Sequence, residues 1–171
     1  MPPSPAAVSA KGSERVAQSV REVLLWLFVL NQGIALGAGL YEIRMVVTPW
    51  IASLRRGEDA RMPDSGRQFW AFVTTMPLTL LTLASVVAAR QTPGAKGTWW
   101  MAAAALALVE RVMTFGYFIP TMLRLQRGQA RGSELTATAT RWVTLNYVRS
   151  TISLAAWLAT LWAFSRQGLD L

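Results

Sequence analysis

The fold is decided by residues 98–119, whose sequence is TWWMAAAALALVERVMTFGYFI. Glu110 and Arg111 are the only charged residues in this segment. A helix needs about 20 predominantly apolar residues, or about 30 Å of length, to cross the hydrocarbon core of a bilayer. Because lipid offers no partner to free backbone groups, a crossing segment must satisfy its own hydrogen bonds as a helix. Residues 98–119 therefore predict a transmembrane helix.

Three other segments are similarly long and apolar: residues 23–47, 70–89 and 142–164. Pro and Gly residues punctuate the stretches between them, as is typical of connecting turns. We therefore predict an all-α integral membrane protein, a multi-pass bundle of four transmembrane helices within residues 22–166, located in the cell membrane. Residues 1–21 are rich in Pro, Ser and Ala and predict a disordered N-terminal tail, and residues 167–171 form a short C-terminal tail.

The composition restricts the chemistry that the protein can perform. The 171 residues are 53% hydrophobic and 15% charged, and they include no Cys and no His. Disulfides, Cys or His nucleophiles, structural zinc sites and thiolate clusters are therefore excluded. We expect no metal and no cofactor. The net charge of +8 is better explained by anionic lipid headgroups than by nucleic acid, for which the sequence carries no motif.

Two stretches that follow the first and third predicted helices resemble each other. From Pro49 to Gly57 and from Pro120 to Gly128, four identical residues recur at an offset of 71. Two repeated helical hairpins, related by an axis along the membrane normal, would produce this pattern. Chance similarity between two apolar hairpins is the alternative.

Five charged residues lie inside or near the ends of the predicted spans: Glu42, Arg44, Glu110, Arg111 and Arg149. A charged residue costs roughly 2.5 to 3.5 kcal/mol at a helix centre on insertion scales, so it normally faces the interior of a bundle. Arg44 is nearest to the interface and can extend its charge into it. Glu42, Arg149 and Glu110 lie about 8, 11 and 14 Å from the same boundary, at 1.5 Å per residue. These three residues and Arg111 predict a polar interior.

Residues three and four apart share one face of a helix, and this spacing predicts two polar faces. They are Glu110, Thr114, Tyr117 and Thr121 in the third helix, and Trp142, Asn146, Arg149 and Ser153 in the fourth. A purely structural interpretation remains open, in which Glu–Arg ion pairs fix the helix register. In that interpretation Gly33-x-x-x-Gly37 is a packing seam, and the same face could form a homo-oligomer.

Three runs of residues resemble a known family. They are GAGLYE at residues 37–42, which runs on to Pro49 and Trp50, ERVMTFGYFIP at residues 110–120, and RWVTLNYVR at residues 141–149. The last run, with Trp, Asn and Arg spaced by three and two residues, is the most specific. Over residues 24–164 the chain resembles the anthrone oxygenase family of small four-span membrane proteins. The resemblance implies oxidation of anthrones, which are tricyclic aromatic ketones, to anthraquinones.

An anthrone has an acidic C–H group, and its carbanion can react with O2 without a metal or flavin, so a chain without His and Cys could catalyse this oxidation. Our hypothesis assigns Glu42 or Glu110 as the general base. Arg149, with Asn146 as a second donor, would stabilise the developing oxyanion. Arg111 is a further candidate for that role, and the remaining predicted contacts to a flat hydrophobic small molecule or lipid are Tyr41, Thr114, Tyr117 and Trp142.

Two other functions fit the same features. Membrane-embedded carboxylates and a paired-hairpin repeat also suit a small proton-coupled transporter, although the neighbouring Arg residues should hold both Glu side chains ionised. The second alternative is a non-catalytic module that binds lipid or a partner protein. In that case the mixed charges of loop 51–69 would form the docking surface.

Overall fold

The computed structural model describes residues 5–58, 61–64, 66–129 and 132–166, and this part of the chain contains helices and turns but no strand. The predicted all-helical class is therefore confirmed. Ten helical segments follow one another: α1 (Pro5–Glu42), π1 (Ile43–Val47), α2 (Thr48–Arg55), α3 (Arg67–Phe69), π2 (Trp70–Thr75), α4 (Met76–Arg90), α5 (Gly94–Met113), π3 (Thr114–Phe118), α6 (Ile119–Gln126) and α7 (Gly132–Ser165). The π segments are single wide turns inside longer helices.

Within the described residues, three continuous helices are long and apolar enough to cross a membrane: Lys11–Arg55, Arg67–Arg90 and Gly94–Gln126. The fourth long helix, α7, has 34 residues and therefore has the length of a span. Its sequence is less apolar because it carries Asn146, Arg149, Ser150 and Ser153 in its middle. Of these, Asn146, Arg149 and Ser153 belong to the predicted interior face, and Ser150 does not.

A helix begins within the predicted N-terminal tail. Residues 1–21 predict a disordered tail, whereas α1 begins at Pro5. The side chains of residues 11–20 are all exposed, so tertiary packing does not hold this helix. It is rich in residues of good helix propensity, and Gln18 Nε2 donates to Glu22 Oε1 one turn further on, at 3.2 Å. Residues 1–4 and the predicted C-terminal tail, 167–171, lie outside the described residues.

Each of the three π segments is followed by a proline at the second residue after its end. Pro49, Pro77 and Pro120 occupy the first or second position of α2, α4 and α6. A proline inside a helix lacks the N–H group and its ring clashes with the carbonyl four residues earlier. A wide turn before the proline relieves this conflict, and such turns often occur at functional sites. Each of the three long apolar helices therefore contains one irregular turn, which lies just before its proline.

The sequence repeat is matched by a repeat of local geometry. The segments π1–α2 and π3–α6 have the same lengths and lie at the same offset of 71. Each ends at a glycine with positive φ, 78° at Gly57 and 64° at Gly128. In each copy the residue after the glycine donates a 3.2 Å hydrogen bond to the carbonyl five residues earlier, which is the Schellman arrangement of a helix end. The two copies therefore adopt one local fold.

Buried apolar residues form two clusters. The first contains large side chains such as Phe28 and Trp100 packed against alanines of α5 and α7, because small residues let helix backbones approach closely. The second surrounds Trp50, Phe118 and Trp142. Along α5 and π3, Ala107 belongs to the first cluster and Phe118 to the second. The polar residues between these two positions lie at the junction of the clusters.

Two glycines make close contacts within the chain. A Cβ atom at Gly33 would lie 3.3 Å from Trp157 Nε1 of α7, and that nitrogen donates to Val29 O at 3.1 Å. A Cβ atom at Gly97 would lie 1.8 Å from the carbonyl oxygen of Thr92. Gly33 therefore packs against its own chain, whereas a Cβ at Gly37 meets nothing within 4 Å. The homo-oligomer through these two glycines stays a prediction.

Candidate functional site

The centre of the candidate site is the carboxylate of Glu110, which lies between two guanidinium groups. Glu110 Oε2 accepts a 2.7 Å hydrogen bond from Arg111 Nε and a second one from Arg111 Nη2. Its Oε1 accepts from the hydroxyl of Thr114 at 3.1 Å and lies 3.7 Å from Arg149 Nη1. Glu110 is 5% exposed and Arg111 6%. Such a buried carboxylate is tolerated because charged partners surround it.

Arg149 connects this cluster to α7. Its Nη1 donates to Thr114 Oγ1 at 3.3 Å, and its Cζ atom lies 4.6 Å from the centroid of the Phe118 ring. An arginine over an aromatic face gains a cation–π attraction. The guanidinium is therefore held by a carboxylate, a hydroxyl and a ring, all contributed by α5 and π3.

The second helix joins the cluster through its π turn. Arg111 Nη1 donates to the carbonyl oxygen of Thr75, the last residue of π2, at 3.5 Å. The same oxygen accepts from Thr79 Oγ1 at 2.6 Å. Backbone carbonyls at a wide turn before a proline are partly released from the helix ladder. The π turn thus supplies an acceptor for a buried guanidinium.

An apolar cavity of about 360 Å³ lies beside the charged cluster. This volume falls within the roughly 300 to 1,000 Å³ that small-molecule sites occupy. The charged residues that line it are Glu42, Arg67 and Arg149. The remaining walls are mostly apolar and come from π2, π3 and their neighbours: Trp70, Ala71, Thr75, Met76, Thr114, Phe115, Phe118, Ile119, Met122, Leu123 and Trp142. The cavity therefore suits a hydrophobic ligand that carries a polar group.

A smaller chamber of about 40 Å³ adjoins this cavity. Four residues line both spaces: Trp70, Thr75, Thr114 and Arg149. Glu110, Arg111 and Gln32 line only the chamber. The charged cluster therefore faces the small chamber, and Arg149 is the charged residue that borders both spaces.

The structure brings together most of the predicted site residues. Glu110, Arg111, Thr114 and Arg149 are in direct contact. Glu42 and Trp142 line the apolar cavity, and Trp142 Nε1 donates to Phe118 O at 3.4 Å. Side chains of three long helices therefore border the two spaces, and their common depth in the membrane stays a prediction.

Three predicted contacts lie outside the two spaces. Tyr41 is 66% exposed and lines a separate cavity of about 280 Å³ together with Glu42 and Trp70. Tyr117 precedes Phe118, and its ring lies beneath Arg141, 5.9 Å from Cζ to the centroid. Asn146 is 1% exposed and lines neither space. Its Oδ1 has no hydrogen-bond partner among the described residues.

Several wall residues were not predicted from the sequence. Phe115, Phe118 and Met76 belong to or follow the π turns, and Gln32 lies in α1 opposite them. The signal that could have found them is the series of prolines, Pro77 and Pro120, inside otherwise apolar helices. A proline at such a position predicts a local irregularity that redirects side chains.

Metal ligation has little support in the described residues. No group of three His, Cys, Asp or Glu side chains suited to a metal ion occurs there. Glu110 is already bonded to Arg111 and adjacent to Arg149, and two guanidiniums would oppose a cation. The donor set instead suits an anion or a polar oxygen.

The described part of the chain is helical, has three helices that could cross a membrane, and holds a buried Glu–Arg cluster beside an apolar cavity. These features are typical of membrane proteins with an interior site. A sequence model of the anthrone oxygenase family matches residues 67–159, which is more than half of the chain. The chain therefore belongs to the anthrone oxygenase family, as its sequence resemblance predicts. No curated protein and no solved structure matches it. The match covers the charged cluster, whereas Gln32, Tyr41 and Glu42 precede it.

Proposed function

We propose that this protein is a membrane-embedded oxygenase that oxidises a flat, hydrophobic aromatic substrate of the anthrone type without a cofactor. In this proposal α7 is the fourth span of a four-helix bundle in the cell membrane, and the chain is an oxidoreductase. The observation that carries the proposal is the position of Arg149, which borders an apolar cavity and is fixed by the Glu110 cluster. Both the cluster and most of the cavity lie in the part that matches the family.

Substrate would enter the cavity sideways from the lipid. Met76 and Phe115, which line the cavity, are 54% and 50% exposed. They belong to the second and third helices, so the cavity opens between these two helices onto an apolar surface. An aromatic substrate dissolves readily in lipid, and this route would spare it a passage through water.

Arg149 would stabilise the negative charge that develops on the substrate oxygen. Electrostatic stabilisation is most effective when the donor is held in place before the reaction and water is excluded. Arg149 meets both conditions because Glu110, Thr114 and Phe118 hold it and its side chain is 18% exposed. Glu110 and Arg111 are then positioning residues that act through Arg149.

Glu42 would be the general base that accepts the substrate proton. It lines the apolar cavity, whereas Glu110 lines only the small chamber. A base must lie within hydrogen-bond reach of the proton that it removes. Of the two predicted carboxylates, Glu42 therefore has the position that fits this role.

The proposed reaction balances with O2 as the only co-substrate. Glu42 takes one proton from the substrate CH2 group, and the carbanion forms a C–O bond with O2, which is reduced to the peroxide level and protonated. Loss of the second C–H proton breaks the O–O bond and releases water. The sum is CH2 plus O2 giving C=O plus H2O, with oxidation of the carbon and reduction of O2.

Activity of variants tests this proposal. Purified protein in nanodiscs would be given an anthrone, and quinone absorbance would be followed. We expect Arg149→Met to lower the rate by about 10²- to 10³-fold, as for removal of an oxyanion donor. Glu42→Gln should lower the rate by about 10²- to 10⁴-fold, as for removal of a general base.

The matched control is Arg44→Met, because Arg44 is exposed and lines neither space. It should keep the wild-type rate. Wild-type protein that is no faster than empty nanodiscs would contradict the oxygenase proposal. If Arg149→Met and Arg44→Met behave alike, the assignment of Arg149 is wrong.

A further inference from the structure

The small chamber beside the cavity contains a donor that the mechanism above does not use. Gln32 of α1 lines this chamber and is 5% exposed. Its Nε2 atom has no hydrogen-bond partner among the described residues. A buried amide NH2 group without a partner is costly, because it loses its hydrogen bonds to water and gains none.

The amide of Gln32 is anchored to α7. The hydroxyl of Thr160 lies 2.7 Å from Gln32 Oε1 and 2.8 Å from Ala156 O and shares its one proton between these two acceptors, and Thr160 is fully buried. Because Oε1 is committed to Thr160, the NH2 group is the part of the side chain left to contact a ligand. It can only donate hydrogen bonds.

The two guanidinium groups of the chamber share this preference for an acceptor. Arg111 and Arg149 line it with guanidinium groups, and Glu110 is already bonded to Arg111 and adjacent to Arg149. The volume of about 40 Å³ is too small for a ring system but sufficient for one or two atoms or a water molecule. The chamber therefore fits a single oxygen that carries negative charge.

We propose that the chamber is the oxyanion subsite, and that Gln32 Nε2 and Arg149 together bind an ionised phenol or enol oxygen. This inference rests on the proposed function and specifies its substrate class. The ligand is a flat apolar ring system in the large cavity with an ionisable oxygen on the edge that faces the chamber. The shared lining residues Trp70, Thr75 and Thr114 form the passage between the two spaces.

Two probes that are not turned over test this subsite. 2-Hydroxyanthraquinone carries an ionisable oxygen, and its parent anthraquinone does not. Binding of each to the full chain in nanodiscs would be measured by quenching of tryptophan fluorescence, and the visible band of the phenolate would report ionisation. We expect wild-type protein to bind the hydroxylated probe at least about tenfold more tightly than the parent, as phenolate, because hydrogen bonds to charged groups contribute this much.

Three variants complete the experiment. Gln32→Met keeps the size but removes the donor, and Gln32→Glu replaces it with a negative charge. Both variants should reduce the ratio of the affinity for 2-hydroxyanthraquinone to the affinity for anthraquinone about tenfold. They should also weaken the phenolate band, while the affinity for anthraquinone stays unchanged. Gln18→Met, the same change at an exposed position of α1, should behave as wild type.

The outcomes distinguish the two proposals. Unchanged ratios in both Gln32 variants, with anthraquinone still bound, would overturn the oxyanion subsite and leave the cavity as the ligand site. Failure of the wild type to bind anthraquinone would overturn the ligand cavity of the proposed function and the subsite with it. Equal affinity of the wild type for both probes would show that the chamber holds only water.

Discussion

At the scale of single residues, Glu110 determines the arrangement of the site. Its carboxylate contacts Arg111, Thr114 and Arg149 at once. Removing one member of a buried ion pair leaves an uncompensated charge, which typically costs about 3 to 5 kcal/mol. Replacement of Glu110 would leave two guanidinium groups facing each other without their common partner.

We therefore expect Glu110→Gln to lower the thermal unfolding midpoint of the detergent-solubilised protein by several degrees, because about 3 kcal/mol is a large part of the stability of a domain. The control is Glu134→Gln, which removes a 2.5 Å contact to Arg124 between exposed side chains. Exposed pairs contribute about 0 to 1 kcal/mol. Equal midpoints for the two variants would show that the buried cluster does not stabilise the fold.

The residue scale also shows what the sequence could predict. The similar depth of Glu110 and Arg149 could be predicted, because the rise per residue is nearly constant along a helix, but the sequence does not show which Glu pairs with which Arg. The positions of Tyr41 and Tyr117 could not be predicted in this way. A π turn inserts extra backbone and rotates the following side chains, so the regular spacing of three and four fails at Tyr117, which lies inside π3.

At the scale of helices and turns, the three π segments shape the cavity. Residues of π2 and π3 contribute its walls, and Glu42 precedes π1 directly. The prolines responsible for these turns could be seen in the sequence. Which side chains the turns would direct inward depends on packing between helices, which a single sequence does not contain.

The turn between the second and third helices gives a prediction at this scale. Gly97→Ala should destabilise the protein, because its Cβ would lie 1.8 Å from Thr92 O and backbone cannot move aside cheaply. We expect a loss of about 1 to 3 kcal/mol, as for other overpacked sites. It would be measured as a lower unfolding midpoint.

Gly37→Ala is the matched control for this substitution. A Cβ at Gly37 meets nothing within 4 Å, and Ala favours a helix by about 1 kcal/mol over Gly. The midpoint of this variant should therefore stay the same or rise. A Gly97→Ala protein as stable as the Gly37→Ala protein would contradict the close packing at this turn.

At the scale of the whole molecule, the fold class could be predicted from the sequence, and the N-terminal helix could not. Long apolar segments such as residues 98–119 predict helices, because a backbone surrounded by lipid or by a protein core must satisfy its own hydrogen bonds. Residues 5–21 carry no such pattern, and their helix depends on local propensity. The predicted fourth span is a further case at this scale. α7 is long enough to cross a membrane, but it carries a polar face.

Four spans would place both ends of the chain on one side of the membrane. The chain has no Cys, so single cysteines can be introduced and labelled with an impermeant maleimide. Lys11→Cys and Arg166→Cys should label from the same side, and Arg56→Cys should label from the opposite side. Labelling of Lys11→Cys and Arg166→Cys from opposite sides would show that α7 does not cross.

We propose that this chain catalyses the insertion of oxygen from O2 into the CH2 group of an anthrone. The most direct measurement is anthrone oxidation under ¹⁸O2 by purified protein in nanodiscs, with quinone mass and O2 consumption recorded together. We expect a rate above that of empty nanodiscs, one ¹⁸O atom per quinone carbonyl formed and one O2 consumed per product. A rate equal to that of empty nanodiscs would contradict this proposal.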